Sequence, residues 1–388
     1  MTQLSKRLQQ LSEENDIAFG SIPIVFIGDF MQLEPINSKD AIYKTEESYY
    51  WEKQLNILVE LQGKWRFKDC PKLQETFDVI RKEGITAKVR DIINERVVGT
   101  NNVELPKIVE EIKVATYRNA TKEKHNNEIF ARHLRTHHSK RENDTIPQQT
   151  VVIICDAKWA HNKDPFSMKQ RLQLCSKTNE SATRRGGNTK RLDPMLKLFK
   201  GCQVMTLDNA DVENGIANGT TATFSYLTMV EGKKPFPIQI DGYYVNAVRA
   251  EDVASVRLQW TADSTFRGSF SIEPKPFMCS TEVRSKGKKQ KIQVEMTQLP
   301  MTMNHATTGH KLQGKTVDAL IVAEWAPKNI RNWIYVVLSR VKRIENLYLL
   351  NRLPEDIDGA PDPLLTQMME RLRAKLGKPK DTHKIAML

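Results

Sequence analysis

The chain has 388 residues, of which 39% are hydrophobic and 27% charged; that is enough apolar material for two or three folded domains and excludes a disordered or collagen-like chain. Lysine and arginine number 59 against 47 aspartates and glutamates, and the resulting +12 favours a polyanionic partner, nucleic acid before membrane. No run approaches the roughly 18 apolar residues of a membrane-spanning helix.

The first residues, MTQLSKRLQQLSEEN, read as an amphipathic helix without the apolar centre of a secretory signal. An unbroken apolar run, Ile24 to Ile27, predicts a strand buried on both faces. Helical periodicity follows from Leu73 to Ile93. A strand near Ile112 to Thr116 opens the next stretch, which contains a second apolar run, Val151 to Ile154, and a Gly/Asn/Arg-rich loop, SATRRGGNTKR. Between 219 and 297 the runs TATFSY, PIQI, YYVNAV, VASVRL and KIQVEM alternate with Gly, Asn and charged turns, which predicts a small antiparallel barrel. DALIVA and NLYLL then read as strands flanking a helix. Beyond Asn351 a Pro/Asp-rich linker leads into a basic helix. Cys70, Cys155, Cys175, Cys202 and Cys279 are odd in number and widely spaced, which fits reduced intracellular thiols and neither disulfides nor a zinc site. The pattern is an α/β protein interrupted by a small barrel.

The segment from Gly309 to Thr316, GHKLQGKT, matches the phosphate-loop pattern letter for letter. A phosphate loop needs a buried strand before it and a helix after it, because the helix N-terminus and the loop amides together cradle the phosphates. Here MTMNHATT lacks a solid aliphatic run, and Val317 to Ala323 looks like a strand where the helix belongs. The match is rejected on the order of elements.

Five segments stand out in order: IVFIGDFMQLEPI, LQGKWRFKD, LKLFKGCQVMTLDNADVENGIANGTTATF, ATTGHKLQGKT and IYVVLSRVKRIENLYLL. At this spacing they resemble the motifs of the Pif-type, RecD-like DNA helicases of superfamily one, from about Ile22 to Leu350. The resemblance implies an α/β fold with the remnant of a first RecA-like domain at 1–108. A second RecA-like domain follows at 109–218 and 298–350, with a small SH3-like β-barrel inserted at 219–297, and 351–388 form a linker and basic tail. It also implies ATP-dependent unwinding of DNA from five-prime to three-prime. Single-stranded DNA and DNA junctions are the implied partners, in a monomer without a membrane, with roles in repair, recombination and telomere maintenance. Nucleus before mitochondrion is the expected location.

The first segment places Gly28, Asp29 and Gln32 at the C-terminal end of the predicted strand, where an α/β sheet presents its ligand crevice. An amide there donates to a phosphate oxygen and accepts from a water at once. In the family, the equivalent of Gln32 senses the γ-phosphate; the alternative is that Asp29 and Gln32 only cap a turn. Phosphoryl transfer gathers negative charge that a guanidinium stabilises bidentately. By resemblance Arg340 is the arginine finger and Arg66 the arginine of the first domain's last motif, although the usual RQ is RF here. ATTGHKLQGKT resembles T-x-H-K-S-Q-G-x-T, with Leu312 in place of the serine. That assigns Thr308, His310 and Lys311 to the DNA, and Gln313 and Gly314 to the γ-phosphate side. A purely structural His310 is the competing reading.

Two basic groups, Arg284/Lys286/Lys288/Lys289/Lys291 and Arg184/Arg185/Lys190/Arg191, suit phosphate tracking by counterion release or are simply solvated loops. Trp260 and Phe266 are either base-stacking platforms or barrel core. The family's phosphate-loop lysine and its Asp-Glu pair for Mg²⁺ have no match, and no metal ligand is assigned. ATP and Mg²⁺ are therefore cofactors by resemblance, with their remaining ligands expected in an N-terminal part. Two functions stay open: a segment of an ATP-dependent DNA helicase, or a catalytically inactive remnant that binds single-stranded nucleic acid.

Overall fold

A computed structural model describes residues 2–34, 41–44, 53, 55, 57–61, 65–106, 112–141, 144–160, 164–167, 170–171, 192–262, 264–285, 288–328, 330 and 332–376, with backbone alone at 2, 65, 279–285, 288–292 and 376. In chain order the helices are α1 (Thr2–Ser12), α2 (Pro71–Glu83), α3 (Ala87–Asn94), α4 (Asn119–His137), the single turn α5 (Gly309–Leu312), α6 (Trp333–Leu338) and α7 (Pro363–Leu376). The strands up to the middle of the chain are β1 (Lys113–Thr116), β2 (Thr150–Ile154), β3 (Asp156–Trp159), β4 (Met195–Phe199), β5 (Gln203–Thr206), β6 (Thr221–Met229), β7 (Phe236–Ile240) and β8 (Tyr243–Arg249). The remaining strands are β9 (Val253–Trp260), β10 (Ser269–Ile272), β11 (Lys275–Ser285), β12 (Lys288–Gln298), β13 (Met301–Met303), β14 (Ala306–Thr308), β15 (Leu320–Val322) and β16 (Leu347–Leu349). Among the described residues no helix is long and apolar enough to cross a membrane. The chain divides into two compact units, Met1–Lys107 with Leu312–Leu388, and Ile108–Lys311.

In the first unit the helical pattern around Leu73 to Ile93 resolves into two helices. Leu73, Phe77 and Ile80 of α2 share one buried stripe, and Val89 and Ile93 of α3 another. Pro71 opens α2, where a missing N–H costs nothing. The Thr86 hydroxyl caps α3 by accepting from the Val89 N–H at 3.3 Å. Between the helices Gly84 adopts φ +83°, and a Cβ there would sit 2.4 Å from the Asp358 carbonyl, so glycine is required. β15 and β16 pair in parallel, Leu320 opposite Leu347, and α6 between them in sequence carries no charged residue and is largely buried. α7 lays Leu365, Met368 and Leu372 on Met31, Ala41 and Tyr43.

One expectation differs here. The run Ile24 to Ile27 forms no strand; Val25 is 82% and Ile27 90% exposed. A strand exists only where neighbours take its backbone hydrogen bonds, and no described strand lies beside this run. Residues 312–388 group with 1–107. The Arg96 guanidinium explains part of this, donating to the Leu347 carbonyl at 3.1 Å and the Glu345 carbonyl at 2.7 Å. The Val98 N–H also donates to the Leu349 carbonyl at 2.9 Å, and the Phe77 and Tyr335 rings meet edge to face.

In the second unit β1 and β14 pair in parallel, Thr116 opposite Thr308. Three further sheets have strand orders β4-β2-β8-β7, β10-β9-β6-β5-β13 and β11-β12-β3. All five β-type runs between 219 and 297 lie in strands β6, β7, β8, β9 and β12. They do not form a self-contained antiparallel set, however. β8 runs parallel to β2, β6 pairs with β5, and β12 pairs with β3, so flanking segments complete every sheet. The reason is burial on both sides: Val152, Ile153 and Ile154 of β2 and Val245, Ala247 and Val248 of β8 lie in one core.

Cys70, Cys155 and Cys202 are buried and form no disulfide, and burial pushes Cys202 up to about 12, which leaves it unreactive. Cys175 and the side chain of Cys279 lie outside the described residues. His138, capping α4, is buried among His133, His137 and Tyr244; its Nδ1 donates to the Tyr244 carbonyl at 2.9 Å, and burial holds its pKa below the ordinary 6.5. The neutral form is therefore the folded form. Its contribution to stability is complete above about pH 6.5 and declines on acidification, as the unfolded chain takes up a proton that the folded chain refuses. Urea midpoints measured from pH 8 down to 5.5 should fall, and fall less in His138→Gln, which keeps a donor but cannot titrate.

Candidate functional site

The turn after the apolar run is built by its own polar atoms. The Asp29 carboxylate accepts from the Met31 N–H at 3.0 Å, and the Asp29 carbonyl accepts from the Gln32 N–H at 3.1 Å. Asp29 therefore caps the turn, and it also faces Arg81 at 3.6 Å. Both partners are partly solvated, so this pair adds little stability. Gly28 is exposed at the start of the turn.

Gln32 does more than close the turn. Its Oε1 accepts from Gln313 Nε2 at 3.0 Å, across 281 residues of sequence. Asn332 holds the turn from below, donating to the Gln32 carbonyl at 3.1 Å and the Phe30 carbonyl at 3.4 Å. It sits at φ 64°, in the left-handed region that asparagine tolerates, just before α6. Gln313 and Gly314 are exposed, and Gly314 takes φ +79°.

Arg66 and Arg340 come together beside this turn. Arg66 donates to the Thr316 hydroxyl at 3.2 Å and the Ser339 carbonyl at 2.9 Å. Arg340, 2% exposed, follows α6 and donates to the Val336 carbonyl at 2.6 Å, the Ser339 hydroxyl at 2.7 Å and the Lys315 carbonyl at 3.2 Å. Burial, and then the Arg66 charge, lowers the Arg340 pKa to about 10, so it remains cationic at neutral pH. Two adjacent guanidiniums and two carboxamides make a donor-rich group suited to phosphate oxygens. Tyr335 completes the surroundings: Arg81 donates to its hydroxyl at 3.0 Å, while burial and Asp29 raise its phenol pKa. Asn332, Tyr335, Ser339 and Arg81 were not singled out from sequence. An Asn immediately before an apolar helix was the one signal available for Asn332.

The second unit places Thr308 at the end of β14 and His310 and Lys311 in the turn that follows. The Asn126 carboxamide fixes that strand to α4, donating to the Met303 and Ala306 carbonyls at 3.0 and 3.3 Å and accepting from the Ala306 N–H at 2.8 Å. Lys311 Nζ reaches the Asn218 Oδ1 at 3.4 Å. The Gly309 to Thr316 match has a strand before it, β14, despite the weak aliphatic signal. Its glycine and lysine follow a helical turn and lead towards β15, the reverse of a phosphate loop. Leu312, where the pattern has serine, is fully buried. Lys286 and the side chains of Arg284, Lys288, Lys289 and Lys291 lie outside the described residues, as do Arg184, Arg185, Lys190 and Arg191. The β11–β12 backbone sets Arg284 opposite Lys289.

In fold, the chain is similar to solved structures of Pif1 helicases. It resembles the crystal structure of Bacteroides Pif1 bound to ssDNA, with a TM-score of 0.60 at 18% identity, covering 96% of this chain and 72% of that one. Pif1 helicase from Candida albicans gives 0.58 at 16% identity, over 95% of this chain and 73% of that one. The PIF1-like helicase family matches residues 1–93. Two curated relatives are each named ATP-dependent DNA helicase Pif1. That of Bdellovibrio bacteriovorus is 23% identical over 364 residues, 93% of this chain, and that of a Psychrobacter species 24% over 390 residues, 94% of this chain. The chain spans 65% and 52% of their respective lengths.

Proposed function

We propose that the chain is part of a Pif1-type, ATP-dependent DNA helicase and supplies its nucleotide-sensing and strand-binding residues. The observation that carries this reading is the Gln32–Gln313 hydrogen bond. It joins, across 281 residues, two side chains that the motif resemblance assigns independently to the γ-phosphate. ATP supplies the γ-phosphoryl group whose presence these residues report. Gln32 and Gln313 offer amide donors, Arg66 and Arg340 fixed positive charge, and Gly314 a backbone without a Cβ in the way. Among the described residues no group of three or more His, Cys, Asp or Glu could hold a metal ion, so none is assigned to Mg²⁺. Thr308, His310 and Lys311 contact the strand, and movement runs five-prime to three-prime with a single chain acting. The two-part RecA-like organisation with an inserted SH3-like barrel, and an intracellular site of action, belong to the same proposal.

A second reading, a single-strand-binding protein without motor activity, draws support from the rejected phosphate-loop match and the exposed run at Val25 and Ile27. Binding of fluorescent oligo-dT, titrated with salt with and without a non-hydrolysable ATP analogue, separates these cases. A steep inverse salt dependence is expected under either reading. An affinity shift on adding the analogue supports the nucleotide-coupled reading, and binding with no shift leaves the non-motor one. Absence of oligo-dT binding removes both.

A further inference from the structure

The second unit carries an aromatic ledge that the Gln32 site does not use. Trp260, the last residue of β9, packs on the main core and meets Phe270 at a centroid distance of 4.4 Å. Phe266, in the connection from β9 to β10, stacks on Trp260 at 5.0 Å with the rings inclined by 25°. Trp260 is therefore core, but Phe266 keeps 40% of its surface exposed. Exposure of a large ring normally goes with mobility; here the ring is pinned. Gly215 lies against it at φ +80°, and a Cβ at that position would come within 2.2 Å of the ring.

The turn that carries Gly215 is itself rigid. Asp211 and Ile216 exchange backbone hydrogen bonds at 3.0 and 2.7 Å, and the Thr220 hydroxyl donates to the Gly215 carbonyl at 2.8 Å. Val212, on the same turn, is 62% exposed and extends the apolar surface. At the far end of the turn Asn218 accepts from Lys311 Nζ. Three residues separate Gly215 from Asn218, at most about 10 Å of chain. A fixed aromatic ring and an ammonium group thus lie within the span of two or three nucleotides, beside Thr308 and His310. An apolar ring face paired with a cation at that interval suits an unpaired base and its phosphate. A duplex offers no free base face to such a ring.

We propose that Phe266, backed by Trp260 and seated on Gly215, is a base-stacking platform for single-stranded nucleic acid, continuous with Lys311 as a phosphate contact. This rests on the strand-binding reading above. The test uses the full chain with two fluorescent strands of equal length, oligo-dT and an abasic sugar–phosphate strand. Phe266→Ala should weaken oligo-dT binding by about tenfold. It should leave the salt slope and the abasic strand's affinity unchanged, and Phe266→Trp should restore binding. Lys311→Ala should weaken both strands and reduce the salt slope by about one. The platform is overturned if Phe266→Ala binds oligo-dT like the wild type, or loses both strands equally as a structural defect would. If the wild type binds neither strand, the strand-binding reading fails and takes the platform with it. If it binds both while Phe266→Ala changes nothing, the platform alone fails.

Discussion

The purified 388-residue chain should hydrolyse ATP at no more than the background rate, with single-stranded DNA or without it. Phosphoryl transfer by phosphate-loop ATPases needs a lysine on the β- and γ-phosphates, metal-binding oxygens and a positioned water, besides an arginine worth roughly 10³–10⁵ in rate. Under the proposed function the chain would supply the arginine and the sensing amides. Its sole GxxxxGKT match puts Lys315 after a helical turn and ahead of a strand, so no helix N-terminus stands behind the phosphates. Arg340 is also committed: three of its five N–H donors go to Val336, Ser339 and Lys315, which leaves two for a phosphate. Phosphate release measured with and without oligo-dT checks the expectation. DNA-stimulated turnover that Lys315→Ala abolishes would reinstate the rejected loop as the phosphate site.

Trp333→Ala should destabilise the first unit by about 3–5 kcal/mol, the cost of emptying a large buried aromatic site. Trp333 is 0% exposed and meets Trp325 edge to face. Its indole N–H is buried and has no hydrogen-bond partner among the described residues. That orphan donor already costs the folded state something, on the order of 1–3 kcal/mol. Trp333→Phe loses some contact area but also removes the donor, so its net effect should stay within about 1.5 kcal/mol. Urea midpoints of the three proteins decide the matter. A Phe variant as unstable as the Ala variant would mean the N–H has a partner. The same unfolding should disturb Arg340, because α6 ends one residue before Ser339 and carries Val336, the carbonyl that Arg340 binds.

The sequence was sufficient where local pattern and chemistry coincide. Periodicity placed α2, α3, β2 and the five strand runs between 219 and 297, because each buries its apolar residues at its own spacing. The order of helix and strand around Gly314 was enough to reject the phosphate loop. Motif spacing selected Gln32 and Gln313, which the fold then hydrogen-bonds to one another. Pattern misled at Ile24 to Ile27: a run of four apolar residues states a preference for burial, but only neighbouring strands can satisfy its backbone, and the described residues provide none. Tertiary structure alone decided that residues 312–350 gather with 1–107, because the carbonyls that Arg96 and Arg66 bind carry no signature in sequence. It alone decided that Trp260 is core while Phe266 is a surface ring, since both are aromatic residues in a β-rich stretch. What separates them is a glycine some 50 residues earlier, whose missing Cβ leaves room for one ring at the surface.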